Sequence, residues 1–309
     1  MTKSSKIYKY LFKVYSTIKF IYRYRIISDR KSICISYKRS FGVKPDLNNP
    51  KTLNEKIQWL KLNDRTDLHT LCADKYKVRE YVRNKIGSKY LIPLLYETKN
   101  VDDITPENLP DTPFIIKTNH DSSGGIVVRD KNTENWKTIR KHLQNLIKSN
   151  YYIRAKEWQY KNIERRVIVE ELLDSDKNQA PYDYKVHCFN KKAITIQVDI
   201  DRSGAHKRNW YSTKWKREPF HWSSLKEGNK RTIPAKWDIE RPKCLDKMIE
   251  LSEKLAEDFI YIRADWYIVD NNLYFGEISF HHDGGLHPII PKEWDYKLGQ
   301  KLKLPIDEK

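Results

Sequence analysis

The densest set of side chains able to do chemistry lies near the C-terminal end of this 309-residue chain, in Arg263-Ala-Asp265-Trp-Tyr and Phe275-Gly-Glu277-Ile-Ser279-Phe-His281. Both stretches read as strands, Tyr261 to Val269 and Leu273 to Phe280, joined at Asp270-Asn271-Asn272. A three-residue hairpin loop with Asn272 in the left-handed position pairs 269 with 273, and therefore Asp265 directly with Glu277 on one face. Two adjacent carboxylates repel, and without a cation one of them is driven to protonate, so a magnesium ion is their natural partner. By the period of two, Ser279 and His281 share the face of Glu277, and Arg263 shares that of Asp265. A two-residue turn would shift the register, separate the acids and leave a salt-bridge ladder on an exposed sheet.

A second set lies upstream. Phe114-Ile-Ile-Lys117-Thr118 reads as a short buried strand running into Asn119-His120-Asp-Ser122-Ser123-Gly124-Gly125, with another strand from Ile126 to Arg129. The glycines let backbone amides approach an anion closely, and a polyphosphate fits such a loop. A lysine that ends an apolar run must be paired or point into a site; the plainer alternative is a hairpin turn with a surface lysine. Between the two sets, Glu170 and Glu171 close an apolar strand (167–173) and Asp183-Tyr-Lys185 opens another. An acid and a backbone amide at such a strand end can hold an adenine ring, and Lys185 can reach phosphate.

The elements that position these residues mix strands and helices with several hairpins, which indicates α+β layers rather than a doubly wound parallel sheet. A capping box, Thr52-Leu-Asn-Glu55, starts a helix through Trp59 and Leu60, and a second helix runs from about Asp74 to a cap at Gly87. A first strand is expected over Tyr90 to Leu95, a helix over Trp136 to Ile147, a hairpin over 182–200 turning at Asn190-Lys191-Lys192, and a helix over Leu245 to Phe259. The Trp-rich stretch 210–237 has little periodicity and reads as a loop over the site. A chain of this length exceeds the roughly 250–300 residues at which one core stops growing, so more than one lobe is expected.

Charge is uneven. Residues 1–45 hold twelve Lys or Arg against the single Asp29, giving +11 of the chain's +18. Within this head Ile7, Tyr10, Leu11, Val14, Ile18, Ile21 and Tyr22 recur at helical spacing, so a basic amphipathic helix is expected with one apolar and one cationic face. Such a helix suits an anionic membrane surface, or docks on the protein itself; it does not suit nucleic acid, on which the apolar stripe would be wasted. The four cysteines lack metal-site spacing and fit a reduced, cytosolic compartment. No stretch reads as a membrane span or a signal peptide, so the expected location is cytoplasmic and peripheral on the inner face of the membrane. The resulting division is a head (1–45), a helical and α+β part (46–112) and catalytic lobes (113–305).

The order of the pieces resembles the ATP-grasp superfamily. More narrowly, Leu53-Asn-Glu-Lys-Ile-Gln-Trp-Leu60, Ala73-Asp-Lys-Tyr-Lys-Val-Arg79, Trp158-Gln-Tyr-Lys-Asn162, Asp183-Tyr-Lys185, Gln197-Val-Asp199, His206-Lys-Arg-Asn209 and Phe275-Gly-Glu277 look like the TupA-like ATP-grasp proteins of teichuronopeptide biosynthesis. The likeness covers about residues 45–305. It implies an ATP-grasp fold with nucleotide held between two α+β lobes, ATP and Mg²⁺ as cofactors, and ADP-forming carboxylate–amine ligation through an acyl phosphate. It further implies that Lys117 and Lys185 contact phosphates together with the loop Ser122, Ser123, Gly124 and Gly125. Glu170 and Glu171 would line the adenine pocket, Asp265 and Glu277 hold the metal, and Arg263 stabilise the developing oxyanion. Where the family has Asn two residues after the metal Glu this chain has Ser279, which leaves Ser279, His281 or Asp283 as third ligand. The family's setting implies bacterial surface-polysaccharide assembly, joining a free amino acid to a uronic-acid carboxylate of a glycan acceptor. His120, Asp199, His206, Lys207, Arg208, Asn209 and His281 are candidates for the acceptor side, with a solvated basic loop at 206–209 as the alternative. Two other functions remain open: a glycosyltransferase using a nucleotide sugar, and a non-catalytic membrane-surface scaffold.

Overall fold

Polar and apolar residues alternate along Asp183-Tyr-Lys-Val-His187, Gln197-Val-Asp-Ile200 and Arg263-Ala-Asp-Trp266, and that alternation builds the larger of two main sheets. A computed structural model describes residues 14–15, 17–18, 21–22, 26–122, 124–173, 181–200, 206–223 and 232–307. The helices are α1 (Asp29–Phe41), α2 (Leu53–Asn63), α3 (Asp67–Ala73), α4 (Val78–Ile86), α5 (Trp136–Lys148), α6 (Tyr151–Ala155), α7 (Leu245–Leu255) and α8 (Glu293–Lys301). The strands run β1 (Leu94–Thr98), β2 (Phe114–Thr118), β3 (Ile126–Val128), β4 (Val167–Glu171), β5 (Asp183–Phe189), β6 (Lys192–Ile200), β7 (Lys207–Ser212), β8 (His221–Trp222), β9 (Tyr261–Val269), β10 (Asn272–Ser279) and β11 (Ile289–Ile290).

The large sheet is antiparallel, in the order β10-β9-β5-β6-β7. Its apolar face carries Val186, Cys188, Ile196, Val198, Ile262, Ala264 and Trp266, packed in one core with Leu245, Met248, Leu251 and Leu255 of α7 and Val82 of α4. Each such aliphatic side chain, fully buried, contributes about 1.5–3 kcal/mol. The Trp266 indole donates to the Ser252 hydroxyl at 2.8 Å, which lets a tryptophan sit in this core without an unpaired donor. The polar face gathers Asp183, Lys185, Gln197, Asp199, Arg263 and Asp265 through the cross-strand pairs Lys185↔Asp265, Lys185↔Gln197 and Asp183↔Asp199.

The small sheet, β1-β4-β2-β3, is also antiparallel. Phe114, Ile116, Val128, Val167 and Val169 bury one face against Ile139 and Leu143 of α5, leaving Lys117 and Glu170 on the other. The first strand lies at Leu94–Thr98 rather than 90–95, because Ser88–Tyr90 forms a 3-10 turn. Since β1 pairs with β4, a boundary at residue 112 runs between strands of a single sheet. The stretch 210–237, expected as loop, contains part of β7 and all of β8, and Trp210 and Trp222 are buried and stacked 5.8 Å apart.

The β9/β10 hairpin departs from the expected register. Its turn has two residues, Asp270 and Asn271, at φ of +50° and +62°, which pairs Val269 with Asn272. A β-bulge then sets Gly276 and Glu277 together opposite Asp265, so that Ile278 pairs with Ala264 and Ser279 with Arg263. Leu273 and Phe275 can thus face the core while Glu277, an even number of residues further on, faces the polar side. A Cβ on Gly276 would lie 3.0 Å from the Tyr267 ring and 3.3 Å from the Asp265 carbonyl oxygen, so close approach keeps this position glycine.

α2 begins with the expected capping box, Thr52 Oγ1 accepting from Glu55 N at 3.2 Å and Glu55 Oε2 from Thr52 N at 3.1 Å. Its buried Leu53, Ile57 and Leu60 pack with Leu298, Leu302 and Leu304 at the far end of the chain. Ahead of it, α1 is fastened by the only acid of the head: Asp29 accepts from Tyr152 Oη at 2.8 Å and pairs with Arg65 at 3.1 Å and Lys156 at 3.3 Å. Before α1, Val14, Tyr15, Ile18, Ile21 and Tyr22 are exposed; Ile7, Tyr10 and Leu11 lie outside the described residues.

Candidate functional site

The polar face of the large sheet carries a connected charge network. Lys185 Nζ donates to Asp183 Oδ2 at 2.5 Å and to Asp265 Oδ2 at 2.6 Å. The Arg263 guanidinium grips Asp265 with two bonds, Nε to Oδ1 at 2.7 Å and Nη2 to Oδ2 at 2.6 Å, and the same Nη2 reaches Glu277 Oε1 at 3.1 Å. The bulge therefore brings Asp265 and Glu277 to one face despite the two-residue turn, and the cation they share in this structure is the Arg263 guanidinium, the counter-charge of the salt-bridge alternative. Burial raises the Asp265 carboxyl, while Arg263 and Lys185 pull it down; burial also disfavours charge on Arg263, and its contacts with Asp265 and Glu277 more than reverse this.

The polar face of the small sheet carries a second set of charged residues. Lys117 Nζ donates to Glu170 Oε2 at 2.8 Å, and Arg79 Nη1 donates to Glu170 Oε1 at 3.2 Å. Lys117 is thus the paired lysine the apolar run required. Glu170 is buried, whereas Glu171 falls on the opposite face and is exposed, so the alternation separates two residues expected to act together. In the loop that follows β2, a Cβ on Gly125 would lie 2.5 Å from Ile115 Cδ1 and 3.2 Å from Lys117 Cγ, so a larger residue would have to displace the Ile115 side chain for the backbone to lie this close over the strand. Ser122 and Gly124 are exposed; Ser123 lies outside the described residues. His120 is buried at the loop's start, with Nε2 3.2 Å from the Leu146 carbonyl oxygen of α5, so it anchors the loop rather than facing an acceptor.

The residues suggested for the acceptor side form a cluster of their own. Arg208 holds Asp199 through two nitrogens at 2.7 and 3.2 Å, and His206 Nε2 lies 3.1 Å from the same carboxylate. Burial opposes the charge on Asp199, but Arg208, His206 and Lys185 hold it well below the usual carboxylate range. Arg208 and Asn209 are buried in β7, where Asn209 Oδ1 accepts from Ala235 N at 2.8 Å, so the solvated basic loop is not what forms here. Lys207 is half-buried at the strand's start. Of the three candidates for a third ligand, Ser279 Oγ stays beside Glu277 at 3.5 Å. His281 is turned away to Gln159 at 3.2 Å and Glu157 at 3.6 Å, and Asp283 sits 3.5 Å from Arg208.

Several contributors escaped the reading of the sequence: Lys75, Arg79, Gln58, Lys61 and His282. Gln58 donates to the carbonyl oxygens of Gly284 and Gly285 at 2.8 and 2.7 Å, and Lys61 to that of Gly284 at 2.6 Å, fixing the turn that carries Asp283. His282 Nδ1 lies 2.9 Å from Arg263 Nη1. All but His282 fall inside the short blocks Leu53–Leu60 and Ala73–Arg79 or one residue beyond, so block membership was the available signal.

His187 and His282 are held neutral. Burial lowers both well below the ordinary 6.5, reinforced for His187 by Arg263 and Arg208 and for His282 by His187 and Arg263. Below that pH the unfolded chain takes up protons that the folded one refuses, so their contribution to stability is present above about 6.5 and lost as pH falls, by up to about 1.4 kcal/mol per unit for each histidine. Urea unfolding should therefore show a lower midpoint at pH 5.5 than at 7.5; equal midpoints would contradict the neutral assignment.

Comparison with known proteins places the chain in a family. Residues 55–303 match the family model of the TupA-like ATP-grasp proteins. Among solved structures, the chain is similar to D-alanine–D-alanine ligase from Bacillus anthracis complexed with ATP, at 15% identity over 68% of this chain and 55% of that one, with a TM-score of 0.41. It is similar to the same ligase from Helicobacter pylori at 18% identity over 76% and 59%, TM-score 0.40. A third is N5-carboxyaminoimidazole synthase from Aspergillus clavatus in complex with ADP, at 12% identity over 69% and 45%, TM-score 0.41. The chain thus spans about half the length of these solved enzymes. No curated protein matches it. A family match that takes in both sheets, the small-residue loop and the acid-bearing hairpin means that the chain belongs to the TupA-like ATP-grasp family.

Proposed function

We propose that this ATP-grasp protein is an ATP- and magnesium-dependent carboxylate–amine ligase, with nucleotide held between its two sheets. The observation that carries the reading is the meeting of Asp265 and Glu277 on the Arg263 guanidinium, with Lys185 behind them. Their carboxylate oxygens are the hard donors magnesium takes. Asp265 and Glu277 would hold the ion, with Ser279 Oγ 3.5 Å from Glu277 Oε1. When bound, magnesium supplies charge neutralisation on the transferring phosphate. Lys117 and the amides of Gly124 and Gly125 then hold the phosphate chain, Glu170 marks the base end of the small sheet, and Lys185 keeps Asp265 oriented. Arg263 is positioned to stabilise oxyanion charge as a carboxylate attacks the γ-phosphate and an amine attacks the resulting acyl phosphate, releasing ADP and phosphate.

The finer reading is ligation of an amino acid to a uronic acid of a bacterial surface polysaccharide, on an anionic membrane. It draws on the family and on the head, where Tyr15 is 61% and Ile18 60% exposed beside eleven units of net positive charge. Among the described residues no helix is long and apolar enough to cross a membrane. The test is thermal-shift titration of the purified protein with magnesium. Stabilisation by ATP and not by uridine diphosphate sugars supports the ligase, the reverse pattern the glycosyltransferase, and no response to either the scaffold. Sedimentation with phosphatidylglycerol vesicles, but not with phosphatidylcholine, checks the membrane part; a variant lacking residues 1–26 should lose most of that binding and still respond to ATP.

A further inference from the structure

Lys75 is a cationic side chain that links the small-residue loop to the acid pair. Its ammonium donates to the Asp121 carbonyl oxygen in the small-residue loop and lies 3.7 Å from Glu277 Oε2 on the large sheet. One side chain thus touches the loop of one lobe and approaches the acid pair of the other. Its backbone is rigidly mounted: Lys75 N donates to the Asn119 carbonyl oxygen at 3.0 Å, and Asn119 Nδ2 donates to Asp74 Oδ1 at 2.8 Å and to the Glu164 carbonyl oxygen at 2.9 Å. Asn119 and Asp74 are almost fully buried, so Lys75 is indexed to the end of β2, the same point from which the loop springs.

The charge pattern says what such a lysine is for. Asp183, Asp265 and Glu277 stand against two buried cations, Lys185 and Arg263, and Lys75 is the third. At 3.7 Å the contact to Glu277 is too long for a hydrogen bond, and an ammonium has three donors, of which the Asp121 carbonyl takes one. An anionic oxygen entering between the loop and Glu277 meets those donors directly.

We infer that Lys75 binds the terminal phosphate of the nucleotide, an assignment that rests on the ligase reading above. Lys117 and Lys185 are already paired, to Glu170 and to Asp183 and Asp265, whereas Lys75 bonds to the loop carbonyl of Asp121 and stands beside Glu277. It therefore distinguishes ATP from ADP, which ends one phosphate short. Calorimetry with magnesium and either ATP or ADP tests this on wild-type protein and on Lys75→Met and Lys75→Gln. Both variants should weaken ATP binding about tenfold or more while changing ADP binding about twofold or less, as expected for one charge-assisted hydrogen bond. Lys75→Arg should recover part of the loss. Equal losses for the two nucleotides would make Lys75 a structural tie between the lobes, and unchanged ATP affinity would remove it from the site; either overturns the inference. Wild-type protein that binds neither nucleotide would instead overturn the ligase reading on which it stands.

Discussion

Glu277→Gln should lower turnover by about three orders of magnitude and leave the thermal midpoint close to that of the wild type, the scale expected when charge stabilisation of a transferring phosphate is lost. Asp265→Asn should cost as much activity and also make the protein unfold more readily. The difference follows from surroundings. Glu277 is a third exposed and shares one hydrogen bond with Arg263 at 3.1 Å. Asp265 is almost wholly buried and takes three charge-assisted bonds from Arg263 and Lys185. Removing one partner of a buried ion pair typically costs about 3–5 kcal/mol, because the cations left behind are uncompensated. Single-turnover assays and thermal melts on the two variants settle it. Equal loss of stability in both, or retained turnover in Glu277→Gln, would contradict the assignment.

The second large effect separates binding from chemistry. Arg263→Lys keeps a positive charge and loses the fork that spans Asp265 and Glu277, so kcat should fall about a hundredfold with ATP affinity little changed. Lys117→Met should do the opposite, raising the KM for ATP about tenfold with a smaller change in kcat, since a phosphate contact made equally in ground and transition states is lost. Glu170 is not stranded by that change, because Arg79 still reaches it at 3.2 Å. Steady-state kinetics with ATP varied at saturating acceptor distinguishes the two. A common effect of both substitutions on kcat alone would show that Lys117 acts in the chemical step.

What could be read from the sequence was set by alternation and local chemistry. The capping box at Thr52 and the strand around Lys117 depend on residues within a few positions of each other, and they appear; Asp265 and Glu277, on successive strands, do share a face, but through a bulge rather than the expected direct pairing. The turn between β9 and β10 is ambiguous in the sequence because Asp270-Asn271 accepts the left-handed conformation as readily as Asn272 does, and the two-residue turn is the one that forms. A sign of the true register was nevertheless present: buried Leu273 and Phe275 are two apart, Phe275 and Ile278 three apart, and Ile278 and Phe280 two apart again. That break in period is the bulge. Glu170 and Glu171 were treated as a unit although neighbours in a strand face opposite ways. Lys75, Arg79 and His282 were out of reach for another reason: they enter the cleft through tertiary packing, and a lysine or arginine near a helix start looks in sequence like any solvated one.

The bulge at Gly276 and Glu277 has a consequence for anyone wishing to move this acid pair elsewhere. Along β10 the residues that hold the strand to its core and the residue that faces the cleft are out of phase by half a repeat, and a single extra residue in the backbone supplies the phase shift. Grafting Asp265 and Glu277 onto a regular hairpin of equal length would therefore point the glutamate into the grease or the leucine and phenylalanine into water. The transferable unit is the pair together with its dislocation, and the residue that must travel with the two acids is the glycine between Phe275 and Glu277.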